Sequence, residues 1–301
     1  LETPRFSLKN ERSRQNFLRR WRFCAVFHMM RERHKGDIAM RVYRTKVKKP
    51  LGCAVVVHGA SEHHGRYEWL SRRLLSAGFH VVIGDLPGHG KNPHRRGHID
   101  HFEEYIHEIS NWIAAAGAFD RPLLLIGHSL GGLAVIRTLQ EKAITPRAVV
   151  LSSPCLGLYI PPPGWLKSAA RPLNTWAPKL RIPIKRSADN RHATRNKTIL
   201  EKDAKDPYIV KKVSIRWYFE LERAMGDAFA KADRFPDVPL FILQAGRDRI
   251  VDKRAVYHWY QMLGIGRKHY KEWPGLFHEV FNEPEREAVF QYMIAAIAPY
   301  F

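Results

Sequence analysis

The chain has three cysteines in 301 residues, Cys24, Cys53 and Cys155. An odd count without paired ligand spacing excludes a disulfide framework and a structural zinc site, and points to a reducing, cytoplasmic compartment. Long apolar runs are also missing. Nothing approaches the roughly 20 uninterrupted apolar residues of a membrane span, and Trp21 to Met30 is short and interrupted by Arg22. The expectation is a soluble chain, or one peripheral at a membrane. Asp85-Leu86-Pro87-Gly88-His89-Gly90 lacks both the Gly-X-Gly-X-X-Gly spacing and the lysine-serine pair of a P-loop, so no nucleotide is expected. Histidines 58, 63, 64, 89, 94, 98 and 101 sit on several loops without ligand pairing, so neither a metal nor another cofactor is expected. No RNP-like aromatic pattern or other reading motif calls for a specific nucleic acid. Acidic residues are scarce, at 29 against 50 Lys and Arg.

What is present is a hydrophobic content of 45%, enough for one large core, and a segment that organises it. Leu123 to Ile126 is a continuous apolar run, as in a strand buried on both faces, and Gly127-His128-Ser129-Leu130-Gly131 follows it. Glycines two before and two after a serine mark a nucleophile elbow. The sharp strand-to-helix turn crowds its neighbours, and the helix that begins near Leu130 offers unpaired N–H groups to an oxyanion.

Along the chain, Ile38 to Tyr43 alternates like an edge strand. A buried strand is expected at Cys53–Val57 and further strands at Phe79–Gly84, Ala148–Leu151, Leu240–Leu243 and His269–Trp273, separated by helices near 67–77, 105–113, 130–142, 253–263 and 284–298. Asp100 with Glu103 has the spacing of a capping pair. Strands alternating with helices give an α/β fold with a mostly parallel, doubly covered sheet. The repeat breaks after Pro154, where a proline-dense stretch contains one clear helix near 213–225. We therefore expect a core from 36–154 and 237–301, a helical cap inserted at 155–236, and a basic N-terminal segment, 1–35.

A serine hydroxyl needs a base to attack an ester, and that imidazole needs an acid to fix its tautomer. Asp248 follows the strand at Leu240–Leu243, and His278 follows the strand at His269–Trp273. The order Ser129, Asp248, His278 is the nucleophile, acid, base order of α/β-hydrolases. Asp252 is a second candidate acid but suits the N-cap of the helix at Lys253. With His58-Gly59-Ala60 through Tyr67, Gly84 to Gly90, Arg96 to Asp100, Arg195-Asn196-Lys197, Asp206-Pro207-Tyr208, Gly246 to Val251 and Gly275 to Glu279, the chain resembles the monoglyceride lipase and bacterial lysophospholipase branch of the α/β-hydrolases. The resemblance spans nearly everything after Gly36. It implies a cofactor-independent hydrolysis of single-chain acyl esters through an acyl-enzyme, with backbone N–H groups of Ala60 and Leu130 as oxyanion donors, and an apolar cap.

Two further expectations concern substrate and surface. Leu156, Leu158, Ile160, Trp165, Leu166 and Trp176 are expected to line an apolar passage from the cap to Ser129, with a small core of the cap itself as the competing reading. Residues 1–35 carry a surplus of 7 positive charges and residues 155–236 a surplus of 9, leaving 5 for the rest. Such blocks suit peripheral contact with an anionic membrane, through Arg181, Lys185, Arg186, Arg191 and Arg195 and through Arg19, Arg20 and Arg22 beside Trp21. The same residues allow a general carboxylesterase or an acyltransferase of this fold, and outside catalysis a basic membrane- or nucleic-acid-binding protein.

Overall fold

A computed structural model describes residues 40–183 and 192–301. The N-terminal basic segment and Lys185, Arg186 and Arg191 lie outside the described residues. Seven strands form the main sheet: β1 (Met40–Tyr43), β2 (Gly52–Val57), β3 (Phe79–Gly84), β4 (Leu123–His128), β5 (Ala148–Ser152), β8 (Leu240–Ala245) and β9 (Lys268–Trp273). Their order across the sheet is β1-β3-β2-β4-β5-β8-β9. Only β1 runs antiparallel, pairing Met40 with Gly84 and Tyr43 with Val81. Strands β2, β3, β5 and β8 are buried at every residue, which is why they read as mainly apolar runs, broken by His80 in β3, Ser152 in β5 and Gln244 in β8, whereas β9 is half-buried throughout and mainly polar.

Helices α1 (Glu68–Ser76), α2 (Glu103–Gly117), α3 (Leu130–Glu141), α7 (Lys253–Met262) and α8 (Arg286–Ile297) cover the sheet. In α2 the stripe of Tyr105, Ile109 and Trp112 turns inward, as its spacing requires. The capping pair does not form. Buried Phe102, in helical geometry, occupies the N-cap position, and the Glu104 carboxylate accepts the N–H groups of Asp100 and His101 at 2.7 and 3.0 Å. Asp252 does cap α7, accepting from Arg254 N–H at 3.0 Å.

Between β5 and β8 the chain leaves the sheet and forms α4 (Gly164–Trp176), β6 (Arg181–Pro183), α5 (Lys197–Lys205), β7 (Lys212–Ser214) and α6 (Ile215–Ala230). Strands β6 and β7 pair antiparallel. The sequence indicates one helix here, later shown to run from Ile215 to Ala230, and misses α4, α5 and the small sheet. Helix α6 is rooted in the core. Trp217, Leu221, Ala224 and Ala228 join the main hydrophobic cluster, Trp217 Nε1 donates to Tyr105 Oη at 2.8 Å, and Gln140 of α3 donates to the Ala228 carbonyl at 2.9 Å. The elbow helix and the insertion are thereby locked together. No helix among the described residues is long and apolar enough to cross a membrane.

Candidate active site

The elbow has the strain its sequence implies. Ser129 joins β4 to α3 with φ 53° and ψ −118°, a conformation L residues avoid, held by Ser129 N–H to Ser152 O at 3.0 Å and by Ser129 O accepting from Leu133 and Cys155 at 3.1 and 2.9 Å. The flanking glycines are required by contact. A Cβ on Gly131 would overlap the carbonyls of Val57 and His58, and one on Gly127 would overlap the Gly131 carbonyl. A turn this tight presents the serine at the carboxyl edge of the sheet.

Two other strand ends bring Asp248 and His278 together. His278 Nδ1–H donates to Asp248 Oδ2 at 2.7 Å, with both side chains fully buried. Gln244 Nε2 donates to the same oxygen at 3.3 Å, while Oδ1 accepts from the N–H groups of Ile250 and Val251, each at 2.9 Å. Burial pushes the Asp248 carboxyl up, but the His278 charge, its hydrogen bond and the two backbone donors outweigh this and hold it below the usual carboxylate value. The imidazole of His278 lies 4.7 Å, centroid to centroid, from that of His128, the residue before Ser129. Its Nε2 is buried and makes no hydrogen bond to any described residue, the Ser129 hydroxyl included. Such contacts often tighten only when substrate is bound.

The loop after β2 completes the edge. His58 Nδ1–H donates to Gly59 O at 2.8 Å and its Nε2 accepts from Leu86 N–H at 2.9 Å, clamping the loops after β2 and β3 to one another. Since a trans peptide directs its N–H opposite its carbonyl, the Ala60 N–H points away from His58. Leu130 is the first residue of α3, so its N–H has no partner within the helix. The sequence missed a buried charge cluster under this loop. Arg66 pairs with Glu62 at 2.7 Å, with Asp203 of α5 at 2.6 Å and with Glu279, the neighbour of His278, at 2.8 Å. Glu62 also accepts from Gly59 N–H at 3.0 Å and from Tyr67 Oη at 2.5 Å. One guanidinium thus ties the loop after β2, the insertion and the histidine loop.

Ligand atoms of His63, His64 and Asp85 lie within 4.8 Å of one another. They are engaged otherwise: His64 Nδ1 on Asp85 at 2.8 Å, His63 Nε2 on Asp206 at 2.7 Å, and His63 Nδ1 accepting from Gly65 N–H at 3.1 Å.

Residues 48–285 match the family model described as serine aminopeptidase, S33. The chain belongs to that family. It is an α/β-hydrolase, similar to phospholipase YtpA of Bacillus subtilis at 46% identity over 82% of this chain and 95% of the relative. Human monoglyceride lipase is 29% identical over 78% of this chain and 77% of its own. The crystal structure of Paleococcus ferrophilus monoacylglycerol lipase superposes with a TM-score of 0.78 at 29% identity, covering 88% of this chain and 99% of that one.

Six residues expected along a passage in this hydrolase are dispersed. Leu156 packs in the main core, and Leu158 is half-buried and bridges to Val251. Ile160, Trp165, Leu166 and Trp176 face outward, Trp165 73% and Trp176 85% exposed. Helix α4 buries no residue at all. Among the described residues, eight of the eleven exposed large hydrophobic side chains fall between Tyr159 and Ile182. The helix is held from behind by Lys167 to Glu222 at 2.6 Å and by Arg216 to Asn174 O at 2.9 Å. Of the basic residues expected to meet a membrane, Arg181 and Arg195 are both exposed. Arg181 donates to the Arg96 carbonyl at 2.6 Å, and Arg195 pairs with Glu283 and Glu285.

Proposed function

We propose that this α/β-hydrolase cleaves the carboxylic ester of single-chain lipids, monoacylglycerols or lysophospholipids, by way of an acyl-enzyme on Ser129. His278 Nε2 takes the Ser129 proton as Oγ adds to the ester carbonyl. The oxyanion is held by the N–H groups of Ala60 and Leu130, and His278 returns the proton to the departing alcohol. Water then attacks the acyl-serine with His278 as base, releasing fatty acid and restoring the hydroxyl. Asp248 keeps the imidazole in the Nδ1–H tautomer throughout. The observation that carries this reading is the buried 2.7 Å Asp248–His278 pair beside the strained Ser129 elbow.

The lipid class is supported by the names of the relatives and by the surface. We assign residues 155–236 as a cap on the core of 36–154 and 237–301, and the outward face of α4 as the part that meets lipid. Trp165, Leu166, Leu173 and Trp176 supply apolar area, and basic neighbours such as Arg171, Lys179 and Arg181 supply attraction to an anionic bilayer. An aminopeptidase would need a free carboxylate for its substrate's ammonium. The buried acids under the loop after β2 surround Arg66, which disfavours that use.

Fatty acid release from monooleoylglycerol and from lyso-oleoylphosphatidylcholine tests the proposal. Native protein should turn over at least one, and Ser129→Ala or His278→Ala should lower the rate by a factor on the order of a million while the melting temperature holds. Near-native turnover by Ser129→Ala would falsify the assignment.

A further inference from the structure

A cavity of about 850 Å³ lies on the outer side of the acid-base pair. Its walls are built by backbone hydrogen bonds. Tyr159 N–H donates to Ile250 O at 3.0 Å and Asp252 N–H to Gly157 O at 2.9 Å, joining the segment after β5 to the acid loop. Arg247 N–H donates to Leu276 O at 3.0 Å, joining the acid loop to the histidine loop. Asp248 and Phe277, the neighbour of His278, are among the residues that line it.

The charge of this cavity is one-sided. Arg247, Arg249, Lys253 and Arg254 line it, against only two carboxylates, Asp248 and Asp252. Both acids are already engaged: Asp248 with His278, and Asp252 with Arg254 at 3.1 Å. Lys253 is engaged too, with Glu272 at 2.7 Å. Arg247 and Arg249 are exposed and make no side-chain ion pair with any described residue. Two uncommitted guanidinium groups at one recess, each a planar fork of donors, match the oxygens of a phosphate. The recess is also close to the chemistry along the chain. Cys155 N–H is bonded to Ser129 O, and Tyr159, only four residues on, lines the cavity; four residues span at most about 14 Å.

We propose that this cavity is a phosphate subsite, in which Arg247 and Arg249 take the head-group phosphate of a single-chain ester whose acyl carbonyl is at Ser129. The proposal rests on the ester hydrolase reading and adds to it a preference for phosphate-bearing glycerol esters over neutral ones. The glycerol backbone separates the ester from its phosphate by a few covalent bonds, so the subsite requires the head group to pass beside His278 from Ser129 into the cavity.

The test compares monooctanoylglycerol phosphate with monooctanoylglycerol, both kept monomeric below their micelle concentrations so that attraction to an interface does not enter. Native protein should have the higher kcat/KM for the phosphate ester. Arg247→Gln with Arg249→Gln should lower the ratio of the two efficiencies by roughly tenfold or more, the size of one or two charge-assisted hydrogen bonds. Binding of glycerol phosphate, inorganic phosphate and glycerol to the Ser129→Ala protein, measured by calorimetry, supplies a readout independent of turnover. Glycerol phosphate should bind and the double variant should lose it. An unchanged efficiency ratio, or equal affinity in the two proteins, overturns the subsite. If inorganic phosphate binds while the efficiency ratio stays fixed, the cavity takes free phosphate and the head-group assignment is wrong. Absence of turnover on every single-chain ester would refute the hydrolase reading, which the efficiencies distinguish from failure of the subsite alone.

Discussion

Asp248→Asn tests the proposed chemistry because the structure dictates which way the new amide must face. Oδ1 of Asp248 accepts two backbone N–H groups, from Ile250 and Val251, that cannot turn away. The amide oxygen of an asparagine must therefore take that position, leaving its NH2 opposite His278 Nδ1 and Gln244 Nε2. Donor then meets donor at a distance of 2.7 Å in a fully buried setting. The Gln244 side is relieved by an amide flip that lets Oε1, which makes no hydrogen bond among the described residues, accept, at the loss of the Gln244 Nε2 bond to Ala245 O. The His278 side is relieved by moving the imidazole proton to Nε2, which lets Nδ1 accept. The fold survives, but the nitrogen that should take the Ser129 proton already carries one. A wrong tautomer of this kind costs about 10⁴ in kcat, or roughly 5.5 kcal/mol of barrier. Hydrolysis of a nitrophenyl butyrate, with a thermal melt on the same sample, measures both effects. Activity within about tenfold of native, or a loss no larger than the unfolded fraction, refutes the tautomer argument. Asp252→Asn is the companion control: it keeps an N-cap on α7 and should leave activity near native.

Burial pushes the His89 imidazole down to about 3 and lowers that of His58 as well. At His89 the unfolded chain then binds a proton that the native state refuses between roughly pH 6.5 and pH 3, so stability is lost as pH falls through that window, by about 1.4 kcal/mol per unit, and His58 acts in the same direction. His89→Gln should flatten the pH slope of urea unfolding by about that amount, and an unchanged slope would show that His89 titrates normally. Arg66→Met leaves Glu62, Asp203 and Glu279 buried without their shared cation and should cost about 3–5 kcal/mol in denaturant unfolding; a loss below about 1 kcal/mol would mean the cluster is solvated. Native protein should sediment with anionic vesicles, less so as salt rises past the roughly 10 Å screening length of 0.1 M. Trp165→Ala with Trp176→Ala should weaken that binding on the order of tenfold without shifting the melt, because both rings are exposed. No sedimentation even at low salt would remove the membrane assignment and leave the esterase proposal standing.

The sheet was legible wherever a strand is buried on both faces, because such positions are mostly apolar, with only single polar residues such as His80 and Gln244 among them. Phe79–Gly84 has its expected bounds, and the strands at 52–57, 148–152 and 240–245 differ from expectation by one or two residues at an end. The insertion was harder to read for a local reason. Strand β6 is three exposed residues, Arg181–Pro183, with no alternation to detect, and α4 follows three prolines and contains a fourth, Pro172. Proline punctuation there signals irregular chain, but Pro163 only precedes the first turn of α4.

The strand-end positions of Ser129, Asp248 and His278 could be read because each follows a recognisable strand, and the structure pairs the last two. The Arg66 cluster could not, since its acids stand at 62, 203 and 279 and only the tertiary fold brings them to one guanidinium. Helix α4 shows a third situation. Its residues were legible only by type, and apolar side chains in a cap over a serine were expected to line a passage or to form the cap's own small core. Residue type identifies apolar side chains but not what covers them. In the fold, α6 and its neighbours hold α4 by polar side chains and leave Trp165 and Trp176 outside, while the proteinaceous core is already closed by Leu156, Trp217 and Leu221. An apolar face left over after the core is complete has no cover among the described residues, and beside the proposed ester site and a basic surround, the proposed anionic lipid interface would supply both the apolar phase and the opposite charge.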